Sequence, residues 1–295
     1  MEARTYFERK MHERKMHPDS GAFVDNFVYN YGTPRLIAPL NNSLACTKPI
    51  GLSFSTEGDL GEGYTVSADG VGIYGLDDNP AIDPLPFVYV READVTGFDH
   101  TQPWYAAFEI VMGWDYTRQF NTDNPAKLQN TCDWFNMVVP NAGRTGAENN
   151  EAYIFDRSTN QHWHFSSLNS RGFVDAILTP QYAVGDKCRV IISWRANNGT
   201  NNSGLHVDAK WTTDNLLRQY KDEFTAGVFN ATPMTNPYIT LSGAIAWANL
   251  ADPWRSYGDG CLHRNFVLGN GLLDNSAIGQ YLHDPDAFIA AVSAL

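Results

Sequence analysis

From Trp104 to Trp114 the chain reads WYAAFEIVMGW, and alternate positions (Trp104, Ala106, Phe108, Ile110, Met112 and Trp114) are all apolar. A period of two gathers such a set on one face of an extended strand, whereas a helix would scatter it around the axis. The same rule organises KCRVIISWR, with Cys188, Val190, Ile192 and Trp194 on one face against Lys187, Arg189 and Arg195 on the other. It organises GLHVDAKWT too, where Leu205, Val207, Ala209 and Trp211 oppose His206, Asp208 and Lys210. These patterns predict half-buried antiparallel strands. The ANNGTNNSG cluster between the last two predicts a hairpin with a long polar tip.

Shorter runs follow the same period: FVDNFVYNY, IGLSFST, GYTVSA, FVYV, WFNMVV, AYIFD, QHWHF, FVDAIL, PYITLSG and HRNFVLG, separated by Gly, Pro, Asn and Asp clusters. Helical spacing is confined to the ends, in Thr5–His17 and in LLDNSAIGQYL and PDAFIAAVSAL near the C-terminus. About a dozen strands with terminal helices predict an all-β fold, a β-sandwich or jelly roll. No Pro/Ser linker or composition shift divides the body, so the expected organisation is a charged helical arm over 1–19 and one sandwich domain over 20–295.

The arm contains a pentapeptide written twice, ERKMHERKMH, from Glu8 to His17. On a helix a five-residue repeat advances about 500°, so Met11 and Met16 fall about 140° apart and form no stripe. Phe7 and Met11 do share a face. Residues 1–17 hold five of the 21 Lys and Arg and three of the 33 Asp and Glu, leaving 16 basic against 30 acidic residues and a body of net charge −14. That field disfavours nucleic acid and anionic membranes as partners. A short charged helix is marginal alone in water, and the arm is expected to dock on a neighbouring chain through Phe7, Arg9, Lys10, Met11, Arg14 and Lys15.

No run approaches the roughly 18 apolar residues of a membrane span. The start carries charges where a secretory leader would be apolar, so the expectation is a protein that folds where it is made. Cys46, Cys132, Cys188 and Cys261 lie far apart with no C-x-x-C pair, and read as buried free thiols.

The stretch from Lys187 to Leu282 resembles the second half of a concanavalin A-like (laminin-G-like) jelly roll. The matching features are VIISW turning through a polar loop into LHVDAKW, and HRNFVLGNGLLDNSAIGQYL leading a later strand into a helix. The resemblance implies a jelly-roll sandwich. Members of that family include lectins, glycan-binding modules, polysaccharide hydrolases and lyases, and bacteriophage virion surface proteins, so architecture does not choose the activity.

The family's hydrolases carry carboxylates at alternate strand positions, as E-x-D-x-x-E, which aims them at one face. The nearest stretch here is FEIVMGWD, where Glu109 and Asp115 are six residues apart with Val111 and Gly113 between them, so the pattern is absent. Glu148 and Glu151 read as loop carboxylates, and QHWHF lacks the lyase spacing. His162 and His164 share a strand face and have metal-ligand spacing, but two solvent-facing histidines opposite Trp163 and Phe165 is the preferred reading; a third ligand would have to come from His100, His206 or His263. The loops with Asp77, Asp78, Asn79 and Asp83, and with Asn121, Asp123 and Asn124, offer oxygen ligands for calcium, though turn chemistry explains them equally. No cofactor is expected, with calcium kept open. Trp254, Tyr257 and His100 near polar loops are candidates for stacking on sugar rings.

Together these features predict a non-enzymatic virion protein, a capsid decoration, fibre or tail component, working as an oligomer in an assembly. It would be moored to other virion proteins by its arm and would meet host surface glycans. The alternative is a polysaccharide lyase or glycoside hydrolase of the same fold.

Overall fold

The computed structural model describes residues 29–57, 64–73, 87–113, 115, 132–138, 151–157, 163–167, 170–176, 180–195, 203–224, 236–241 and 261–295. Its strands among these residues are β1 (Thr33–Ala38), β2 (Ser55–Glu57), β3 (Tyr64–Ser67), β4 (Gly70–Ile73), β5 (Phe87–Arg91), β6 (Trp104–Val111), β7 (Cys132–Val138), β8 (Glu151–Arg157), β9 (Trp163–Ser167) and β10 (Ser170–Ala176). They continue with β11 (Lys187–Arg195), β12 (Ser203–Trp211), β13 (Leu217–Phe224), β14 (Tyr238–Leu241) and β15 (Leu262–Asn270). Two helices close the chain, α1 (Asn275–His283) and α2 (Pro285–Ser293).

The strands form two antiparallel sheets. One runs β13-β12-β11-β6-β15-β4-β3, with β1 also paired to β15, and the other runs β10-β9-β8-β7-β14-β5-β2. The chain crosses between sheets repeatedly: β5 lies in the seven-stranded sheet and β6 in the eight-stranded one, β7 returns, and β14 and β15 again lie in different sheets. The result is the all-β two-layer sandwich expected from the period of two. The predicted hairpin is present, with Cys188 opposite Trp211 and Trp194 opposite Leu205.

The core lies between the sheets. Trp104, Ala106, Phe108, Ile110 and Met112 of the predicted strand face join Val190, Ile192, Val207, Ala209 and Trp211 from one layer, and Val88, Val90, Trp134, Phe135, Ile239 and Leu241 from the other. At the centre the rings of Phe108 and Phe135 stack with centroids 5.9 Å apart, and Phe266 sits 6.3 Å from Phe135. Burying each such side chain contributes about 1.5–3 kcal/mol, before conformational entropy is set against it.

One expectation needs refinement. The middle strands of the eight-stranded sheet were read as half-buried, yet β6 is buried on both faces along nearly its whole length. A second apolar layer explains it: Tyr105, Ala107, Ile191 and Val267 on the outer face pack against Tyr281, Leu282, Phe288 and Val292 of the helices. The helices occur where LLDNSAIGQYL and PDAFIAAVSAL predict them. Asp274 caps α1 by accepting from the Ala277 amide at 2.7 Å, and Asp284 caps α2 by accepting from Ala287 at 3.0 Å. The Asp274 carboxylate also accepts from the Asn30 amide at 2.8 Å, which ties the first described residues to the last helices. Cys46, Cys188 and Cys261 are buried free thiols as expected; Cys132 lies on β7. Burial pushes the Cys46 thiol up to about 12.

The helical arm over 1–19, with Phe7, Arg9, Lys10, Met11, Arg14 and Lys15, lies outside the described residues, as does most of FVDNFVYNY. No helix among the described residues is long and apolar enough to cross a membrane.

Candidate functional site

The crossing from β5 to β6 builds a pocket. After Arg91 the chain makes a single 3₁₀ turn, Glu92–Asp94, and then a tight passage through Gly97, whose φ of +73° is in the left-handed region. A Cβ at Gly97 would lie 2.9 Å from Arg35 Nη1, so space as well as backbone angle favours glycine there. The passage is anchored at both ends. The Glu92 amide donates to the Pro237 carbonyl at 2.9 Å, the Ala93 amide donates to Asn236 Oδ1 at 2.9 Å, and Asn270 brackets Asp99 through both its amide and its carbonyl. A cavity of about 470 Å³ opens here, with Glu92, Phe98, Asp99, His100 and Asn236 in its wall.

His100, predicted as a sugar-stacking residue, is instead a buried member of this wall with 6% exposure. Its Nδ1 lies 2.8 and 2.9 Å from the two Glu92 carboxylate oxygens, and its backbone amide donates to Glu92 Oε1 at 2.8 Å. Asp99 follows the same inward turn. Its Oδ1 accepts from the Thr101 amide at 2.9 Å and from the Thr101 hydroxyl at 2.6 Å. Burial pushes the Asp99 carboxyl up, but the Thr101 hydroxyl and amide and the neighbouring His100 outweigh it and hold the group below its ordinary value. Glu92, Asp99 and His100 thereby bring one ligating atom each within 4.8 Å of one another. The stretch READVTGFDH puts three acids and an imidazole within nine residues around a turn glycine, but only the folded turn decides that Glu92 and Asp99, and not Asp94, stand beside His100.

Immediately beside this pocket, the outward face of the seven-stranded sheet carries a polar and aromatic row. Ser55 on β2, Tyr89 on β5, Thr240 on β14 and Asn136 on β7 are directly opposed from strand to strand, so they share one face; Ser55 is exposed and Tyr89 half-buried, whereas Thr240 and Asn136 are fully buried. Val88, Val90, Ile239 and Leu241 take the alternate positions and face the core. Tyr89 and Tyr238 meet at 5.1 Å between ring centroids, and the Arg91 guanidinium lies 5.1 Å from the Tyr238 ring centre. Both tyrosines are half-buried and Arg91 is exposed. Period-two reading predicted FVYV and PYITLSG as strands, but register across the sheet was needed to bring Tyr89 and Tyr238 together.

Glu109, the nearest thing to a catalytic carboxylate in the sequence, has a structural partner set. It is 3% exposed on the outer face of β6, its Oε2 accepts from Arg189 Nε at 3.1 Å, and Lys187 Nζ stands 3.8 Å from Oε1. The same guanidinium donates through Nη1 to the carbonyls of Leu282 and His283, at the end of α1 where the helix dipole favours a cation. Glu109 and Arg189 therefore lock the helices to the sheet. Asp115 is exposed beyond the end of β6.

Among the described residues, His206 and His263 lie on opposite faces of one sheet and share no site. His263 lies within the core, its Nε2 donating to the Trp134 carbonyl at 2.7 Å across the two sheets. Burial pushes its pKa down to about 4. His206 lies on the opposite face of the same sheet, where it and Asp208 are buried; both were read as solvent-facing, and the outer-face packing on this sheet is the reason for the difference. His164 lies on β9 opposite Asp156 and Asp175. Trp254, Tyr257, His162, Glu148 and both calcium-type loops lie outside the described residues; Glu151 begins β8.

Comparisons add architecture-level likeness only. No family model matches the chain, and no curated protein matches it. Among solved structures it is similar to lectin II from Ulex europaeus, at 12% identity and TM-score 0.38 over 74% of this chain and 93% of that one. It is similar also to the marine PL-14 alginate lyase from Aplysia kurodai, at 8% identity and TM-score 0.37 over 76% and 85%. A third is the receptor-binding domain of botulinum neurotoxin type G, at 9% identity and TM-score 0.41 over 87% and 51%. Likeness at this level carries no argument about what the chain does.

Proposed function

We propose that this chain is a non-enzymatic surface protein of concanavalin A-like jelly-roll type, which binds glycans on its seven-stranded sheet and is moored in a virion by its N-terminal arm. The carrying observation is the accessible part of that face, where Tyr89 and Tyr238 meet with Arg91 and Ser55 beside them. A pyranose offers an apolar C–H face and a rim of hydroxyls. Half-buried tyrosine rings suit the first, and the serine hydroxyl, tyrosine hydroxyls and guanidinium suit the second. The hydrolase alternative is disfavoured at Glu109, whose carboxylate is committed to Arg189 beneath the helices.

The test is a glycan array followed by calorimetric titration of any hit, comparing the natural chain with Tyr238→Ala. Binding that persists unchanged in the variant, or no hit at all, would refute the sugar face; a hit whose chains shorten on incubation would favour the enzyme instead. The mooring is tested separately by asking whether a chain lacking residues 1–19 still joins the particle. Equal incorporation would sink it.

A further inference from the structure

The crossing loop between β5 and β6 holds more than a structural hydrogen bond. We propose that Glu92, Asp99 and His100 form a binding site for one divalent metal ion of the zinc class, with an open coordination position toward the cavity. The site is independent of the sugar face and stands or falls by itself.

The donor set comes first. Two carboxylates and one imidazole supply three ligands of the type borderline cations take, and three protein ligands with one position left to water is the pattern of an open zinc site. The geometry comes second. Ligand atoms on a metal at 2.0–2.2 Å are separated by roughly 3–3.5 Å. Here Nδ1 of His100 stands 2.8 and 2.9 Å from the Glu92 oxygens, and the three donors all fall within 4.8 Å of one another. An ion there would replace the direct His100–Glu92 hydrogen bond, part the two slightly and draw Asp99 inward.

Orientation is the third argument. Outer partners that fix ligands are a mark of metal sites. Thr101 holds Asp99 by two bonds to one oxygen, Asn270 holds the Asp99 backbone on both sides, and the Glu92 and Ala93 amides are held by Pro237 and Asn236. Each donor is thus placed before any ion arrives. The charge balance is the fourth. The two carboxylates and the imidazole have ligating atoms within 4.8 Å of one another, and no lysine or arginine lines the 470 Å³ cavity. A divalent cation among the three donors would offset the negative charge of the two carboxylates. In the bound state Nδ1 gives its lone pair to the ion and the ring proton moves to Nε2.

The ion would act as a clasp. The loop joins the two sheets through Glu92 on the β14 side and Asp99 on the β15 side. A metal bridging them would stiffen the crossing and leave one coordination position for an oxygen donor entering the cavity.

The experiment uses the untagged full-length protein, stripped with chelator and titrated calorimetrically with ZnCl2, MnCl2 and CaCl2, with melting temperature followed in parallel. One zinc ion per chain is expected, together with a raised melting temperature. Asp99→Asn and His100→Gln should each weaken zinc by about a hundredfold or more, since losing only an outer partner of a ligand already costs about 10–100-fold. As a check that does not depend on the folding of either variant, the ring resonances of His100 are also followed by NMR in the natural chain, where zinc should shift them at stoichiometric amounts. No saturable zinc binding, unmoved His100 resonances, or a site taking calcium in preference to zinc would each overturn the assignment.

Discussion

Acidification below pH 6.5 should destabilise this protein through one histidine. His263 is fully buried between the sheets, 5.6 Å in centroid distance from the Phe108 ring, and donates from Nε2 to the Trp134 carbonyl. A carbonyl only accepts, so the bond fixes the neutral tautomer with its proton on Nε2. Burial lowers the folded pKa to about 4 from the ordinary 6.5. The unfolded chain therefore takes up a proton at a pH where the folded chain refuses it, and stability falls as pH drops from 6.5 toward 4. At 1.36 kcal/mol per pKa unit, the loss reaches about 2 kcal/mol at pH 5 and about 3 kcal/mol at pH 4. Many carboxylates titrate over the same range, so the effect is read as a difference. His263→Gln retains an N–H donor and cannot be protonated. Urea unfolding followed by tryptophan fluorescence at pH 7, 6, 5 and 4 should show the natural chain losing about 2–3 kcal/mol more than the variant across the range. Two pH curves that differ only by a constant offset would refute the argument and mean that the ring is hydrated or already charged in the fold.

Two further substitutions test the packing. Arg189→Met should cost about 3–5 kcal/mol, because it leaves the Glu109 carboxylate buried with Lys187 at 3.8 Å as the other cation at hand and uncaps the end of α1; chemical denaturation would read it, and a loss below about 1 kcal/mol would remove Arg189 from its locking role. Gly72→Ala places a Cβ 2.1 Å from the Cys261 carbonyl oxygen, a backbone atom that cannot swing aside, so a loss of about 1–3 kcal/mol or more and a lower melting temperature are expected, and an unchanged melting temperature would show that β4 is free to move away from β15.

How much was legible can be seen strand by strand. FVYV, WFNMVV, AYIFD, PYITLSG and HRNFVLG each contain a strand of the structure, because burying one face of a pleated sheet demands alternation. LRQYKDEF escaped: it forms β13, an edge strand whose charged residues blunt the apolar signal, and its pairing with β12 holds it extended. TPRLIA and GVGI escaped as well, one interrupted by proline and arginine, the other by two glycines where β4 runs close against Leu262 and Cys261.

Sequence alone settled the two-layer β architecture, the helical close, and the burial of Cys46, Cys188 and Cys261, because each follows from local periodicity and side-chain polarity. Tertiary structure decided what the chemistry-bearing residues are for. Glu109 is paired beneath the helices because Arg189 comes to it from a neighbouring strand. Tyr89 and Tyr238 meet because β5 and β14, some 150 residues apart, are neighbours in register. Glu92, Asp99 and His100 converge because the crossing between sheets folds the chain back on itself. Long-range register and burial have no imprint on a short window of residues, and those are the quantities that turn a side chain into a site.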